Sequence, residues 1–351
     1  MQESRDAQSV AAEALRPAVL EICAGAGGQA IGLERAGFRH VGLVELDADA
    51  CETLRANRPS WPVLQCDLRE YKGEGVAGPR LDLLAGGVPC PPFSLAGRQL
   101  GPADPRDLFP SVLDLAGILR PRAIMIENVK GLLSPKFDAY RSGMAARLRE
   151  LGYEAGWRLL NACDFGVPQL RPRAVLIALL ESLHQWFRWP EASLAHGRVT
   201  VGQVLRESMA AGGWEQAAAW AGIADQVGPT VCGGSRKHGG PDLGPSGARN
   251  AWARLGINGS SLADQVPRPG DPLPVRLTTA QVALLQGFPE DWTFAGNKTS
   301  RYRQIGNAFP PPVAEAVGRS LAPVLLPGLA AAQEMPKGPD PVDRGPSGLW
   351  R

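Results

Sequence analysis

Short apolar runs alternate with amphipathic helical patterns through the first half of the chain, and that alternation leaves few folds open. Residues 17–23, 40–45, 81–85 and 123–127 read as buried strands, 174–178 as a later strand and 63–66 as a short one. Residues 28–36 and 48–57 read as the helices between them. Strands spaced by helices in this way build an α/β fold, a mostly parallel sheet covered by helices on both faces. In such sheets ligands bind at the carboxyl ends of the strands.

The texture changes after Trp189-Pro190. From there to about residue 275 periodicity is weak and glycine is dense, above all in residues 228–245, so 190–275 reads as a separate, smaller, loop-rich domain. A periodic helix returns at 278–286, and residues 17–189 and 276–326 are expected to form one larger domain. The Pro- and Gly-rich end after 326 and the first 16 residues read as flexible termini. With 44% hydrophobic and 21% charged residues the chain can bury a real core. Its net charge of +2 makes any nucleic-acid surface a local one. The six cysteines are scattered with no C-x-x-C pair, which argues against a disulfide framework or a metal site and for a reducing, cytoplasmic setting. No apolar stretch nears the roughly 20 residues needed to span a bilayer.

Several segments at strand ends carry chemistry. Glu21-Ile-Cys-Ala-Gly25-Ala-Gly27-Gly28 closes the first strand and opens the first helix, where glycines admit a ligand close to the backbone. Residues 25–30 fit G-x-G-x-x-A, with Glu45 at the distance of a ribose carboxylate, a pattern shared by nicotinamide and S-adenosylmethionine enzymes. Asp67, after the short strand, is placed either for an adenine amino group or as a helix cap. Cys90 lies in Gly86-Gly-Val-Pro-Cys90-Pro-Pro-Phe-Ser94 at the carboxyl edge of the sheet. Prolines 89, 91 and 92 stiffen that loop, which makes a poor core segment and a good mount for a nucleophile. Glu127 ends a neighbouring strand, where a carboxylate beside a thiol can protonate a ring nitrogen. In Gln169-Leu-Arg171-Pro-Arg173, the arginines are suited to a pyrimidine carbonyl and a phosphate.

Taken in order, these motifs resemble the cytosine-C5 DNA methyltransferase family from about residue 19 to residue 320. Residues 21–28 resemble its cofactor loop, 86–94 its Pro-Cys loop, 127–129 its Glu-Asn-Val and 169–173 its Gln-x-Arg-x-Arg. Arg276-Leu-Thr-Thr with Leu285-Gln-Gly-Phe-Pro289 resembles the ninth motif, and residues 302–312 the tenth. The resemblance implies a Rossmann-like methyltransferase sheet with a target-recognition domain at 190–275, S-adenosyl-L-methionine as cofactor without a metal, and double-stranded DNA as partner. It implies Cys90 as nucleophile with Glu127, Arg171 and Arg173. Cys23, Ala24, Gly25, Gly27, Gly28, Glu45, Leu46, Asp67, Leu68, Gly87, Pro89, Asn307 and Ala308 are implied around the cofactor. Cys23 stands where the family usually carries Phe.

The loop from Ser94 to Phe109, with Arg98 and Arg106, is expected to close over a flipped base. Thr230 resembles part of a Thr-Leu pair, and with Arg236 and Lys237 it is expected to meet DNA. Bacterial relatives of this compact form imply a restriction-modification system with a companion restriction endonuclease, and a monomer. A nicotinamide oxidoreductase explains only the first glycine loop and Glu45. A silent DNA-binding regulator and a tRNA methyltransferase of the same fold remain as alternatives.

Overall fold

The computed structural model describes residues 16–76, 81–89, 107–193, 197–234 and 240–326. Its first half runs β1 (Ala18–Ile22), α1 (Gly28–Arg35), β2 (Arg39–Glu45), α2 (Ala48–Asn57), β3 (Val63–Gln65), β4 (Leu83–Gly87), α3 (Phe109–Leu119), β5 (Ala123–Val129) and α4 (Asp138–Glu150). There follow β6 (Tyr153–Asn161), β7 (Gln169–Leu170), β8 (Pro172–Leu180) and α5 (Glu181–His184). A seven-stranded sheet has the order β3-β2-β1-β4-β5-β8-β6. It is parallel from β3 to β5, and β8 runs antiparallel between β5 and β6.

Alternation along the strands sorts the core into two layers. Leu20, Ile22, Leu84, Ile124, Ile126 and Leu176 face one side, packed with Phe109, Val112 and Leu115 of α3 and Met144 and Leu148 of α4. Val19, Leu83, Ala85, Met125, Val175 and Ile177 face the other. There they meet Leu33 of α1 and Val313, Ala314, Val317 and Leu321 of α11 (Pro311–Leu325). Helices thus cover both faces, and each fully buried aliphatic side chain contributes about 1.5–3 kcal/mol.

Residues 190–275 are more regular than their glycine density suggests. They contain α6 (Val201–Ala210), α7 (Ala217–Ile223), β9 (Gly228–Pro229) and α8 (Ser246–Arg254), so part of the expected glycine-rich loop is helix. Thr200 and Gln203 form a capping box that starts α6. Trp214, Trp220 and Trp252 are buried and supply the apolar mass that periodicity did not reveal. Their cluster is continuous with Ala30, Ile31, Leu43 and Leu54 of the first half and with α9 (Thr279–Leu285) and α10 (Lys298–Asn307). Among the described residues no helix is long and apolar enough to cross a membrane.

A tight joint lies between α1 and α11. A β-carbon on Gly32 would stand 2.4 Å from the Pro311 carbonyl oxygen and 2.6 Å from the Glu315 nitrogen. Because both obstacles are helix backbone, Gly32→Ala must push α11 away, costing about 1–3 kcal/mol. Thermal unfolding should show the midpoint lowered by roughly 3–10 °C; an unchanged midpoint would mean the helices do not pack this closely.

Candidate active site and cofactor cleft

The carboxyl ends of β4 and β5 form the centre of the site. Their register sets Gly87 opposite Glu127. The Glu127 Oε2 lies 3.3 Å from where a β-carbon on Gly87 would stand. Glycine therefore leaves room for the carboxylate three residues before Cys90. Asn128 is buried, and its amide donates to the Val88 carbonyl at 3.3 Å, tying the start of the Cys90 loop to β5. Cys90 itself, with Ser94, Arg98, Arg106, Arg236 and Lys237, lies outside the described residues.

Glu127 pairs with Arg173, whose Nε stands 2.7 Å from Oε1, both side chains being largely buried. The pair meets because β8 runs antiparallel beside β5, with Val129 opposite Arg173. Burial pushes the Glu127 carboxyl above the usual carboxylate range, and the charges of Arg173 and then Arg171 pull against that rise. The result is a carboxyl that takes a proton more readily than usual, held in a fixed orientation by Arg173.

A second cleft opens at the ends of β1 and β2. Cys23 (φ 49°), Gly25 (φ 55°) and Gly27 (φ 88°) take left-handed conformations, which turn the chain sharply between β1 and α1. Glu45 Oε2 accepts from the Gly25 amide at 2.7 Å, and Oε1 accepts from Leu46 and Asp47 at 2.8 and 2.7 Å. Burial nonetheless raises the Glu45 carboxyl pKa. Burial first, then the charges of Glu45 and Asp67, hold the Cys23 thiol far above its ordinary range, so it stays protonated. A β-carbon on Gly25 would meet nothing within 4 Å, and Leu46 is 59% exposed beside it. This open cradle, with a carboxylate and an apolar lip, fits an adenosine-bearing cofactor. Asp67 is bonded to the Arg69 side chain and amide, which lower its pKa. Leu68 is buried, Pro89 is exposed, and Ala308 packs where a β-carbon on Gly28 would stand, at 3.0 Å.

Arg171 differs from Arg173. It has no solvent exposure, and its guanidinium donates to the carbonyls of Val231 (2.7 Å), Gly306 (2.8 Å) and Ala308 (2.9 Å). The expectation that it grips substrate directly is therefore amended: the side chain fastens three backbone segments together. Thr230 donates its hydroxyl to the Leu170 carbonyl at 2.5 Å, at the end of the β7–β9 pairing. Asn307 turns its amide to the Gly234 carbonyl at 3.3 Å, so its side chain contacts the 233–234 segment.

This arrangement has known counterparts. Residues 18–224 and 246–322 match the model of the C-5 cytosine-specific DNA methylase family. The Type II methyltransferase M.NaeI of Lentzea aerocolonigenes is 53% identical over 314 residues, covering 88% of this chain and 75% of that one. The Type II methyltransferase M.NgoMIV of Neisseria gonorrhoeae is 49% identical, covering 87% of this chain and 97% of its own. The chain belongs to the C-5 cytosine-specific DNA methylase family. Its fold is shared with a putative DNA modification methyltransferase encoded within an E. coli prophage, at TM-score 0.61 and 21% identity over 88% of this chain and 99% of the other. It is shared also with the Entamoeba histolytica methyltransferase EhMeth, at TM-score 0.61 and 16% identity over 87% and 98%.

As a DNA cytosine-5-methyltransferase, the protein brings Glu127, Arg173, Gly87 and Pro89 to one sheet edge and Gly25, Gly27 and Glu45 to its neighbour. Three residues that motif reading left without a role also act here. Gln169 donates to Leu285 O and Gln286 Oε1 and accepts from Val231 N. Gln286 donates to the Ile305 and Ala308 carbonyls. Trp292 donates to the Ala26 carbonyl in the glycine loop. An apolar count discards buried glutamines, though both sit inside segments already marked by their motifs. Among the described residues no cluster of potential metal ligands occurs.

Replacing Arg173 by Met removes the main charge opposing the burial of Glu127. The folded pKa then climbs further above the unfolded value of about 4.3. A raised carboxyl favours the folded state most where it is protonated, and that contribution is lost as pH rises through the folded pKa. Relative to native protein, Arg173→Met should thus lose stability in thermal melts as pH rises above the folded pKa of native Glu127, the difference staying constant at more acid pH. Parallel curves would show that Arg173 does not compensate the buried charge.

Proposed function

We propose that the enzyme transfers the methyl group of S-adenosylmethionine to C5 of a cytosine flipped out of a specific duplex DNA site, through a covalent bond to Cys90. The observation that carries the reading is the buried Glu127–Arg173 pair set against Gly87, three residues ahead of the thiol. A base inside a duplex is out of reach of such a recessed carboxyl, so the substrate has to leave the stack.

Cys23, Ala24, Gly25, Gly27, Gly28, Glu45, Leu46, Asp67, Leu68, Gly87, Pro89 and Ala308 would hold the cofactor, with Asn307 at the rim where its neighbour Ala308 meets Gly28. When bound, S-adenosylmethionine supplies an electrophilic methyl group. Cytosine C5 is a weak nucleophile, so the Cys90 thiolate first adds to C6, and the electron pair of the C5=C6 bond becomes available at C5. Glu127, protonated more readily because it is buried, donates to N3 and stabilises that adduct. Arg173 donates to the O2 carbonyl and keeps Glu127 oriented. After C5 has gained the methyl group it loses its proton to a base, the double bond returns, and the C6–S bond breaks to release the thiolate. Arg171 contributes through the frame it holds.

Residues 190–275 form the target-recognition domain in this reading. Thr230, Arg236 and Lys237 meet DNA in this domain, and Ser94, Arg98 and Arg106 belong to the loop that closes over the flipped base. The similarity to Type II methyltransferases supports a role beside a companion restriction endonuclease, and in this reading the enzyme acts as a monomer in the cytoplasm.

The test is transfer of tritium from labelled S-adenosylmethionine to unmethylated DNA. Native protein should place label in 5-methylcytosine. Cys90→Ser should lose about three orders of magnitude or more, and Glu127→Gln about 10²–10⁴-fold. Transfer that survives loss of Cys90 would overturn the covalent route.

A further inference from the structure

Trp292 lies far from the reacting carboxylate, yet it is built into the glycine loop. Its indole N–H donates to the Ala26 carbonyl at 3.1 Å, a bond buried on both sides. Its ring stands 3.0 Å from where a β-carbon on Gly27 would be, with Leu54 at 2.8 Å on the same spot. The ring is itself fixed from behind. The Arg58 guanidinium lies 5.3 Å from the Trp292 ring centre and 5.8 Å from that of Trp61, and Glu34 holds the same guanidinium at 3.0 Å. Phe288 adds a ring at 6.3 Å. The next residue, Thr293, is tied to α2 through Asn57 in both directions, at 2.9 and 2.7 Å.

Ala26 sits between two glycines in left-handed conformations, Gly25 and Gly27. Glycine crosses to other conformations at little cost, so the stretch depends on hydrogen bonds for its shape. Gly27 N–H donates to the Ala24 carbonyl at 3.2 Å and Gly25 N–H to Glu45, and the Ala26 carbonyl is met by a side chain that arrives 266 residues later in the sequence. Without the indole donor the Ala26 carbonyl would be buried unpaired, and the loop would relax to solvate it. Cofactor binding would then have to restore the observed loop, which lowers apparent affinity by the fraction of molecules that still hold it.

We propose that Trp292 is a positioning residue for the cofactor, acting through the Ala26 carbonyl and the Gly27 backbone. The proposal rests on the cofactor reading above. Trp292→Phe keeps an aromatic ring in the cluster and removes the donor together with the outer ring atoms that face Gly27. Trp61→Phe alters the same aromatic cluster without touching the loop, and serves as the comparison. Calorimetric titration with S-adenosylmethionine should give a Kd about 5–10-fold weaker for Trp292→Phe and within about twofold of native for Trp61→Phe. In steady-state assays Trp292→Phe should raise the cofactor KM by a similar factor, with kcat at saturating cofactor and the KM for DNA little changed. Equal weakening by both variants, or an unchanged Kd with a lowered melting point in Trp292→Phe, would make the tryptophan a packing residue only. Failure of the native protein to bind S-adenosylmethionine would overturn the cofactor reading, and this inference with it.

Discussion

Three side chains with no solvent exposure, Gln169, Arg171 and Gln286, hold the molecule together where its segments meet. They join the approach to β8, the Val231 segment after β9, the end of α9 and the end of α10. Both amide groups and the guanidinium are engaged by partners that are largely backbone, which leaves little freedom for an alternative arrangement. Removing one member strands the others in a low-dielectric interior, where an unmet donor or acceptor costs about 1–3 kcal/mol. A buried hydrogen-bonded cluster of this kind specifies geometry more than it adds stability, since apolar residues could fill the space at similar free energy.

That specificity is what the chemistry needs. Arg173 follows Arg171 by two residues on the same approach to β8, so the joint that fixes Arg171 also fixes the partner of Glu127. Val231 follows Thr230 directly, so the segment proposed to meet DNA is anchored to two of these side chains, Gln169 and Arg171. The distance between the Glu127–Arg173 pair and the segment proposed to meet the duplex is thereby set by buried hydrogen bonds. A misplacement of about 1 Å at a reacting centre can cost about 10²-fold in rate, so this rigidity bears on turnover.

The parallel half of the sheet was legible because β1, β2, β4 and β5 are short, continuous apolar runs, the pattern that burial on both faces demands. Glu45 and Glu127 were legible because they end such runs. Other elements gave weaker signals for physical reasons. In α10 the buried positions include Ser300, Gln304 and Gly306, so an apolar period is absent although the helix is packed. In α4 only Arg141, Met144 and Leu148 are buried, a narrow stripe on a polar helix. β6 carries Gly156 in its interior and exposes Leu159, which blurs its alternation. In α6 the period rests on Val201, Leu205 and Met209 alone, and in α7 and α8 the one large buried side chain is a tryptophan, which does not make a period. Arg171 and Arg173 share a motif and a charge, and only the fold separates the one held by carbonyls from the one facing a carboxylate.

The cofactor cleft also explains why the chain doubles back on itself. β1 and α1 create the glycine turn, but its walls come from the far end of the sequence: Trp292 on Ala26, Ala308 beside Gly28, and α11 pressed along α1. Arg303 reaches Asp47 at 3.3 Å, two residues past Glu45, and Ser300 bonds Asp49 at 2.5 Å, so α10 holds the acidic side of the cleft as well. A glycine-rich loop that must present backbone to a ligand cannot carry side chains large enough to brace itself. The bracing has to be supplied by another element. Here the C-terminal region supplies it, and Asn307 at the end of α10 touches at Gly234 the segment proposed to meet DNA. The glycine loop and that segment thus both lean on residues 292–308, which join them.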